Sequence, residues 1–389
     1  MTTIIAIADP HVDATSVGGF DHEKGVHSNW VESFGRLNDS IDAANNHKAS
    51  FFVIAGDLFD TGKPTAEAVA MVRDALKRLH KGCTAVIIDG NHDQQTVVAK
   101  QRTPIAAYFG DLARVVTASS PEVIDVDGMQ FALAPWLRVS GKSKVMNTSE
   151  QLRSVVEDLS SQIKGGPSMF LGHLVTDECT FDNGMASRGS EMSMATTLLE
   201  AHIPTELLDA GAWSLARLGH IHKRQQLSDK TGYIGSPYKV SFGEYREAKG
   251  YDIITIDDKN KSTLKFGELK VRELVKVDLS IGGKDSITDI DKINEGDIVK
   301  IVVDHDGADS LDIKNAKAKL DRLGISNQIA RLPKPKRTSL KRASGASIDT
   351  SPVDALKLYL ERHGITDNDE VEAMIEELNS VMQTVGIKK

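Results

Sequence analysis

The chain has 389 residues, 40% of them hydrophobic and 26% charged. That is enough for two or three domains around sizeable cores, which excludes wholesale disorder. The formal net charge of −8, from 47 basic against 55 acidic side chains, excludes a protein that holds nucleic acid by bulk charge alone, but not one with a local basic groove or a basic partner.

No apolar run approaches the ~20 residues that a membrane helix needs. The N-terminal stretch has no basic n-region, so a signal peptide is not expected either. Two cysteines, Cys83 and Cys179, cannot make a disulfide framework and read as reduced thiols of a cytoplasmic protein.

In chain order, residues 4–7 form a short apolar strand run that ends at Asp9. Trp30, Phe34, Leu37 and Ile41 then share one helical face. Residues 51–55 are a second buried-strand run, ending in Gly56-Asp57. Val69, Val72, Leu76 and Leu79 mark a second amphipathic helix, and residues 85–88 a third strand. The alternation predicts right-handed βαβ units, a largely parallel sheet and an α/β fold. Further strands are expected at 131–134, 169–171, 215–218 and 251–256. A helix built on Leu152, Val155, Val156, Leu159 and Ile163 falls among them.

Beyond about Val271 the texture changes. Residues 275–279, 298–303 and 328–332 look like strands and 311–323 like a helix, which makes a small α+β unit. Residues 330–345 hold Arg331, Lys334, Lys336, Arg337, Lys341 and Arg342, no acidic residue and two prolines, and read as a basic linker. A helical pair follows. Ser351-Pro352 starts the first helix, with Leu356, Tyr359 and Leu360 on one face and Gly364 at its end. In the second, Val371, Met374, Ile375, Leu378, Val381, Met382 and Val385 make an unbroken apolar stripe.

Five polar signatures each follow an apolar strand run. They are Asp9-Pro10-His11, Gly56-Asp57-Leu58-Phe59-Asp60, Gly90-Asn91-His92-Asp93, Gly172-His173 and Gly219-His220-Ile221-His222. In an open α/β sheet, ligands bind beyond the carboxyl ends of the strands, so side chains placed there converge. Glycine beside them lets the backbone turn and approach closely. The convergent donors would be Asp9, His11, Asp57, Asn91, His173, His220 and His222. Oxygen and imidazole donors without cysteine suit Mn, Fe or Zn. Seven side chains exceed what one ion of ordinary coordination uses, which points to two ions sharing a carboxylate. The other histidines, among them His22, His27, His47 and His80, lack this context and read as ordinary hydrogen-bonding side chains.

In this order the five signatures resemble those of the calcineurin-like metallophosphoesterases. Gly56-Asp57-Leu58-Phe59-Asp60-Thr61-Gly62-Lys63-Pro64 and Gly219-His220-Ile221-His222-Lys223-Arg224-Gln225 narrow the resemblance to the SbcD or Mre-eleven type of double-strand-break repair nuclease. So do Tyr233-Ile234-Gly235-Ser236-Pro237, Ser241-Phe242-Gly243-Glu244 and Lys249-Gly250-Tyr251. The likeness covers about residues 3–251; beyond that only the layout is similar.

The resemblance implies a metallophosphoesterase β-sandwich flanked by helices over 1–270. It implies a DNA-capping α+β domain over 271–332, a linker over 333–350 and a helical ATPase-binding segment over 351–389. One ion would be held by Asp9, His11, Asp57 and His222, the other by Asp57, Asn91, His173 and His220, with Asp57 as the bridge. His92 would face the scissile phosphate. Asp93 would either orient that imidazole or cap a helix. Some members carry histidine where this chain has Asp60, whose role stays open.

The implied activity is Mn²⁺-dependent (Mg²⁺ as substitute) DNA exonuclease and endonuclease cleavage in recombination and repair, in the cytoplasm of a bacterium or encoded by a phage. The implied partners are DNA, an SbcC-like SMC-type ATPase reached through the C-terminal helices, and a second copy of the chain. Trp30, Phe34 and Leu37 would serve either that dimer contact or packing onto the sheet. Two other readings stand beside this one. A metallophosphatase or cyclic-nucleotide phosphodiesterase would not need the capping unit, linker and helical tail. A scaffold with a dead site would not keep the whole ligand set.

Overall fold

Strand Thr2–Ile7 alternates between two apolar environments, which is why its sequence shows no polar face. Ile4 and Ala6 point one way, Ile5 and Ile7 the other, and all four are fully buried. Such continuous apolar runs belong to strands covered on both sides. In the computed structural model, which describes residues 1–22, 25–94, 106–137, 145–180, 201–278, 293, 296–303, 311–322, 325–331 and seven isolated positions beyond, this strand lies inside a six-stranded sheet. The order across that sheet is Ser262–Glu268, Gly250–Ile256, Thr2–Ile7, Phe51–Ile54, Thr84–Ile88, Val115–Ala118. Thr2–Ile7 runs parallel to Phe51–Ile54, with Ile4 beside Phe51, and the next two strands continue parallel. Gly250–Ile256 and Ser262–Glu268 close the other side antiparallel.

A second six-stranded sheet has the order Gln225–Gln226, Thr231–Tyr233, Leu215–Gly219, Ser168–His173, Met129–Ala134, Glu122–Val126. The two sheets pack face to face. Ile4, Phe51, Val53, Val86 and Ile88 of the first meet Phe131, Leu133, Met169, Leu171 and Leu215 of the second in one buried cluster. Helices Ser28–Asn46 and Ala66–Lys77 cover the outer face of the first sheet through Phe34, Leu37, Ile41, Val72 and Leu76. Helix Val145–Gln162 covers the second through Leu152, Val156 and Leu159. The fold is therefore an α/β sandwich with helices on both outer faces, as the resemblance implies; alternation of elements by itself pointed only to a largely parallel sheet. Buried parallel strands carry the same apolar pattern whichever sheet they join, so periodicity does not tell the two sheets apart. The edge strands Val115–Ala118, Glu122–Val126 and Ser262–Glu268 were not among the expected elements, because half-exposed edges mix polar and apolar residues.

Phe34 and Leu37 pack onto the sheet, and the Trp30 indole N–H donates to the Asp13 carbonyl at 2.8 Å. These side chains face the protein's own core. His27 accepts from the Asn29 amide and caps the helix that carries them.

Strands Leu274–Asp278, Ile298–Val303 and Ser326–Arg331 form a third sheet, with helix Leu311–Arg322 between its last two strands in sequence. The chain divides into two compact units, 1–330 and 331–389, so most of this layer belongs with the sandwich. Leu274 and Ile298 bury Val17 between them and Phe242 and Tyr245. Arg272 donates to the Ser28 carbonyl and to Asn29 Oδ1, and its amide to Glu32 Oε1. In the second unit, Val353, Leu356, Lys357, Val371, Glu372, Met374 and Ile375 are helical. The linker expected over 333–350 and the rest of the expected helical pair lie outside the described residues. Among the described residues no helix is long and apolar enough to cross a membrane.

Candidate metal centre

The parallel strands of each sheet end on the same rim, and the sandwich brings the two rims together. Asp9, Asp57 and Asn91 follow strands Thr2–Ile7, Phe51–Ile54 and Thr84–Ile88 of the first sheet. His173 closes Ser168–His173 of the second, and His220 and His222 follow Leu215–Gly219. Direct bonds tie the rims. His173 Nδ1 meets the Ala55 carbonyl at 2.8 Å, and the His220 amide donates to Asp9 Oδ1 at 2.9 Å.

The backbone is strained where these side chains emerge. Asp9, His11, Asp57 and His220 have φ of 52, 35, 49 and 89°, which L side chains rarely adopt. Such conformations cost about 1–3 kcal/mol each and persist only where the surroundings over-determine them. Four of the eight non-glycine positive-φ residues described lie in this one site, which marks it as functional and not as a set of ordinary turns. Gly90 is needed for a different reason: a Cβ there would come within 2.1 Å of Asp57 Oδ1 and 2.3 Å of the Asp57 amide nitrogen. The second neighbour is backbone and cannot swing away. Gly90→Ala is therefore expected to lower stability by about 2–3 kcal/mol, the range of core overpacking. A thermal melt within a degree of the parent would contradict this close approach.

Six of the seven expected donors fall into two of the three ligand clusters found among the described residues; the third joins His11 to Asp60 and His92. Ligand atoms of Asp9, His11 and His222 lie within 4.8 Å of one another, as do those of Asp57, His173 and His220. Asp57 Oδ2 stands between them, 3.6 Å from His11 Nε2 and 3.5 Å from His173 Nε2. Asn91 Oδ1 lies 2.9 Å from His173 Nε2 and 3.0 Å from His220 Nδ1. All seven expected donors are thus brought together, and six are fully buried or nearly so.

The arrangement calls for positive charge. With Nδ1 of His173 donating to the Ala55 carbonyl, its Nε2 faces two oxygen acceptors, Asn91 Oδ1 and Asp57 Oδ2. Only a proton or a metal ion on that nitrogen reconciles them. Burial disfavours the imidazolium, but the Asp57 and Asp9 carboxylates outweigh it and raise His173 to about 9. Burial would lift Asp57, yet His173 and His11 hold it well below the usual carboxylate range. Asp9 Oδ2 and Asp57 Oδ2 find no hydrogen-bond partner among the described residues although both side chains are fully buried. Unsatisfied carboxylate oxygens beside imidazole nitrogens are a donor set that fits divalent cations.

His92 borders this centre. Its amide donates to Asp57 Oδ1 at 2.8 Å, and its ring stands edge-on to His11 with centroids 4.9 Å apart. Its Nδ1 meets the Asp60 carbonyl at 2.7 Å, so Nε2 is the nitrogen left for other partners. The Asp60 carboxylate also lies 3.4 Å from His11 Nδ1. Asp60 thus serves through its backbone as the orienting group for His92. Asp93 does not meet that ring. Its carboxylate accepts from the amides of Leu58, Phe59 and Gly90 at 3.2, 3.0 and 2.8 Å, clamping two ligand loops together. Burial, with the charges of Asp57 and Asp89, pushes Asp93 up to about 8. Residues 95–105, where a helix capped by Asp93 would run, lie outside the described residues.

Two residues of the site were not picked out in the sequence. Trp136 stacks on His220, with ring centroids 4.8 Å apart and planes at 29°, and meets His173 edge-on. It lies just past strand Met129–Ala134, so the strand-end logic could have found it. Glu244 bonds His222 from behind the centre; its motif was legible, its contact was not.

The family model for calcineurin-like phosphoesterases matches residues 2–224, a span that contains all seven donors. Two curated relatives, each named as the D subunit of the SbcCD nuclease, are 27% identical to this chain. The one from Staphylococcus epidermidis aligns over 57% of this chain and 60% of its own length. The one from Staphylococcus saprophyticus aligns over 60% of this chain and 62% of its own. The matched part thus spans less than two thirds of either relative. Among solved structures, a dimetal phosphatase from Danio rerio aligns at 11% identity and a TM-score of 0.37, over 68% of this chain and 98% of its own. A Thermus thermophilus protein aligns at 14% identity and a TM-score of 0.38, over 69% of this chain and 99% of its own.

Proposed function

The chain belongs to the calcineurin-like phosphoesterase family, and from that premise we propose that it is a dinuclear-metal DNA nuclease, the nuclease subunit of an SbcC–SbcD-like end-processing complex. The observation that carries the reading is the pair of buried donor clusters that meet at Asp57, with two carboxylate oxygens that accept no hydrogen bond among the described residues. The names of the two staphylococcal relatives support DNA as the substrate and an SbcC-like ATPase as the partner.

In this reading Asp9, His11, Asp57 and His222 hold one divalent ion, and Asp57, Asn91, His173 and His220 the other. Carboxylate, amide and imidazole donors suit Mn²⁺, with Mg²⁺ as substitute. Ions held there would supply an activated water for attack on phosphorus and positive charge beside the phosphate oxygens. The remaining work falls to the chain's own groups. Asp60 holds the His92 ring by accepting from Nδ1–H, so that in the doubly protonated imidazolium Nε2–H is presented to the leaving oxygen, to which it gives its proton or a hydrogen bond. The Asp57 carboxylate fixes the loop that carries His92 through the His92 amide. Asp93 keeps that loop against residues 58 and 59.

The test is purified protein with Mn²⁺ on labelled duplex and single-stranded DNA, beside a generic phosphodiester reporter. DNA cleavage is the expected result. Cleavage of the reporter but never of DNA would favour a small-substrate phosphodiesterase instead.

We place the ATPase contact on the apolar stripe of residues 371–385, docked helix against helix on the coiled-coil base of the partner. Deleting residues 351–389 is expected to leave Mn²⁺-dependent cleavage intact and to lose co-purification with the ATPase. A truncated chain that still captures the ATPase at full strength would overturn that placement.

A further inference from the structure

Glu244 is wholly buried and lies 20 residues beyond the end of the family-model match at 224. It closes the short turn Phe242–Glu244, whose start Ser241 caps. Donors converge on both its oxygens. Oε1 accepts from His222 Nδ1 at 3.0 Å and from the Ser241 amide at 3.1 Å. Oε2 accepts from the Val240 amide at 3.1 Å, lies 3.2 Å from Ser236 Oγ and pairs with Lys249 Nζ at 2.6 Å. Lys249 is itself buried, and it also donates to the His222 carbonyl and pairs with Glu247.

A buried carboxylate is disfavoured unless it is paired and fully bonded. If turn closure were its whole task, two amides would suffice and a neutral glutamine or serine would serve. The bond to His222 is the part that turn closure does not need. His222 Nε2, the other ring nitrogen, lies 3.2 Å from His11 Nε2, inside the cluster with Asp9. His173 offers a contrast, because its outer nitrogen bonds a neutral backbone carbonyl at 2.8 Å while the nearest carboxylate, Asp9, stands farther off at 3.8 Å.

We infer that Glu244, held in place by Lys249, is a positioning residue for the metal centre. It keeps the proton of His222 on Nδ1, so that Nε2 always presents its lone pair, and its charge makes that nitrogen a stronger donor. The inference rests on the dinuclear reading above and extends the functional unit past residue 224 to residues 236–249. It assigns a task to the Ser236, Ser241–Glu244 and Lys249 motifs, which hold no donor of their own.

The first test uses the full wild-type chain with ¹⁵N-labelled histidine, loaded with diamagnetic Zn²⁺. The His222 signals should show a protonated, strongly hydrogen-bonded Nδ1 and a metal-bound Nε2. A metal-bound or unprotonated Nδ1 overturns the inference. The second test is Glu244→Gln, followed by Mn²⁺ titration calorimetry. One of the two ions should lose roughly 10- to 100-fold in affinity and the other should keep its own. A folded variant that binds both ions as tightly as the parent refutes the idea. Should Glu244→Gln fail to fold, because it leaves Lys249 with Glu247 as its carboxylate partner, E244Q/E247Q/K249Q removes the three charges together and is read the same way. Failure of the dinuclear reading looks different: the wild-type chain itself would then not take up two ions.

Discussion

Asp57→Asn is expected to reduce Mn²⁺-dependent DNA cleavage by at least about 10³-fold, since losing even one preorganised electrostatic group in an active site costs about 10²–10³-fold. The effect is placed at the upper end because Asp57 serves both clusters. Its Oδ2 lies within 3.6 Å of a nitrogen from each, so one substitution removes the bridging charge from both ions. Metal content should fall from two ions per chain towards one or none. The fold should survive. Asparagine keeps an oxygen where Oδ1 accepts the His92 amide, and its size is the same. Metal analysis, a nuclease assay and a circular-dichroism melt on one preparation check all three statements. A variant that retains two Mn²⁺ and still cuts DNA would remove Asp57 from the bridging position.

His92→Ala is expected to separate chemistry from metal binding. A positioned general acid contributes about 10²–10⁴-fold, so cleavage should fall by that order. Both ions should stay bound, because none of the bonds made by the His92 ring goes to a proposed donor atom; the bond to Asp57 comes from the backbone amide, which alanine keeps. Small perturbation of His11 follows from the lost ring contact at 4.9 Å. Loss of one ion in the folded variant would make His92 a ligand and overturn its placement. Asp60 reaches the site twice: its backbone holds the His92 ring and its carboxylate stands 3.4 Å from His11 Nδ1, so substitution of its side chain should weaken metal binding where His92→Ala does not.

The seven candidate donors were legible because each belongs to a short polar signature that follows an apolar strand run, and strand ends of one polarity share a rim. That argument needs only local sequence and holds for Asp9, Asp57, Asn91, His173 and His220. The number of donors pointed to two ions, and the resemblance added which donors go to which. Helices such as Ser28–Asn46 were legible from one apolar face, since a helix buries only a stripe. The assignment of Asp93 to the His92 ring was not sustained, because adjacency in sequence says nothing about which way two consecutive side chains point. The His92 ring turns toward His11, the Asp93 carboxylate into three backbone amides.

What the sequence by itself determined is the order of elements, the donor types and the rim on which they gather. Those properties are local: apolar runs make buried strands, glycine permits the turn after them, and the residue past each strand end points into the crevice. Only the tertiary structure decided which strands go to which of the two sheets, and that Asp60, Trp136 and Glu244 frame the donor clusters. These facts depend on contacts between residues far apart in the chain, such as His173 with Ala55 and His222 with Glu244. No periodicity encodes such pairs. They arise when two apolar faces close on each other and carry their strand ends into contact.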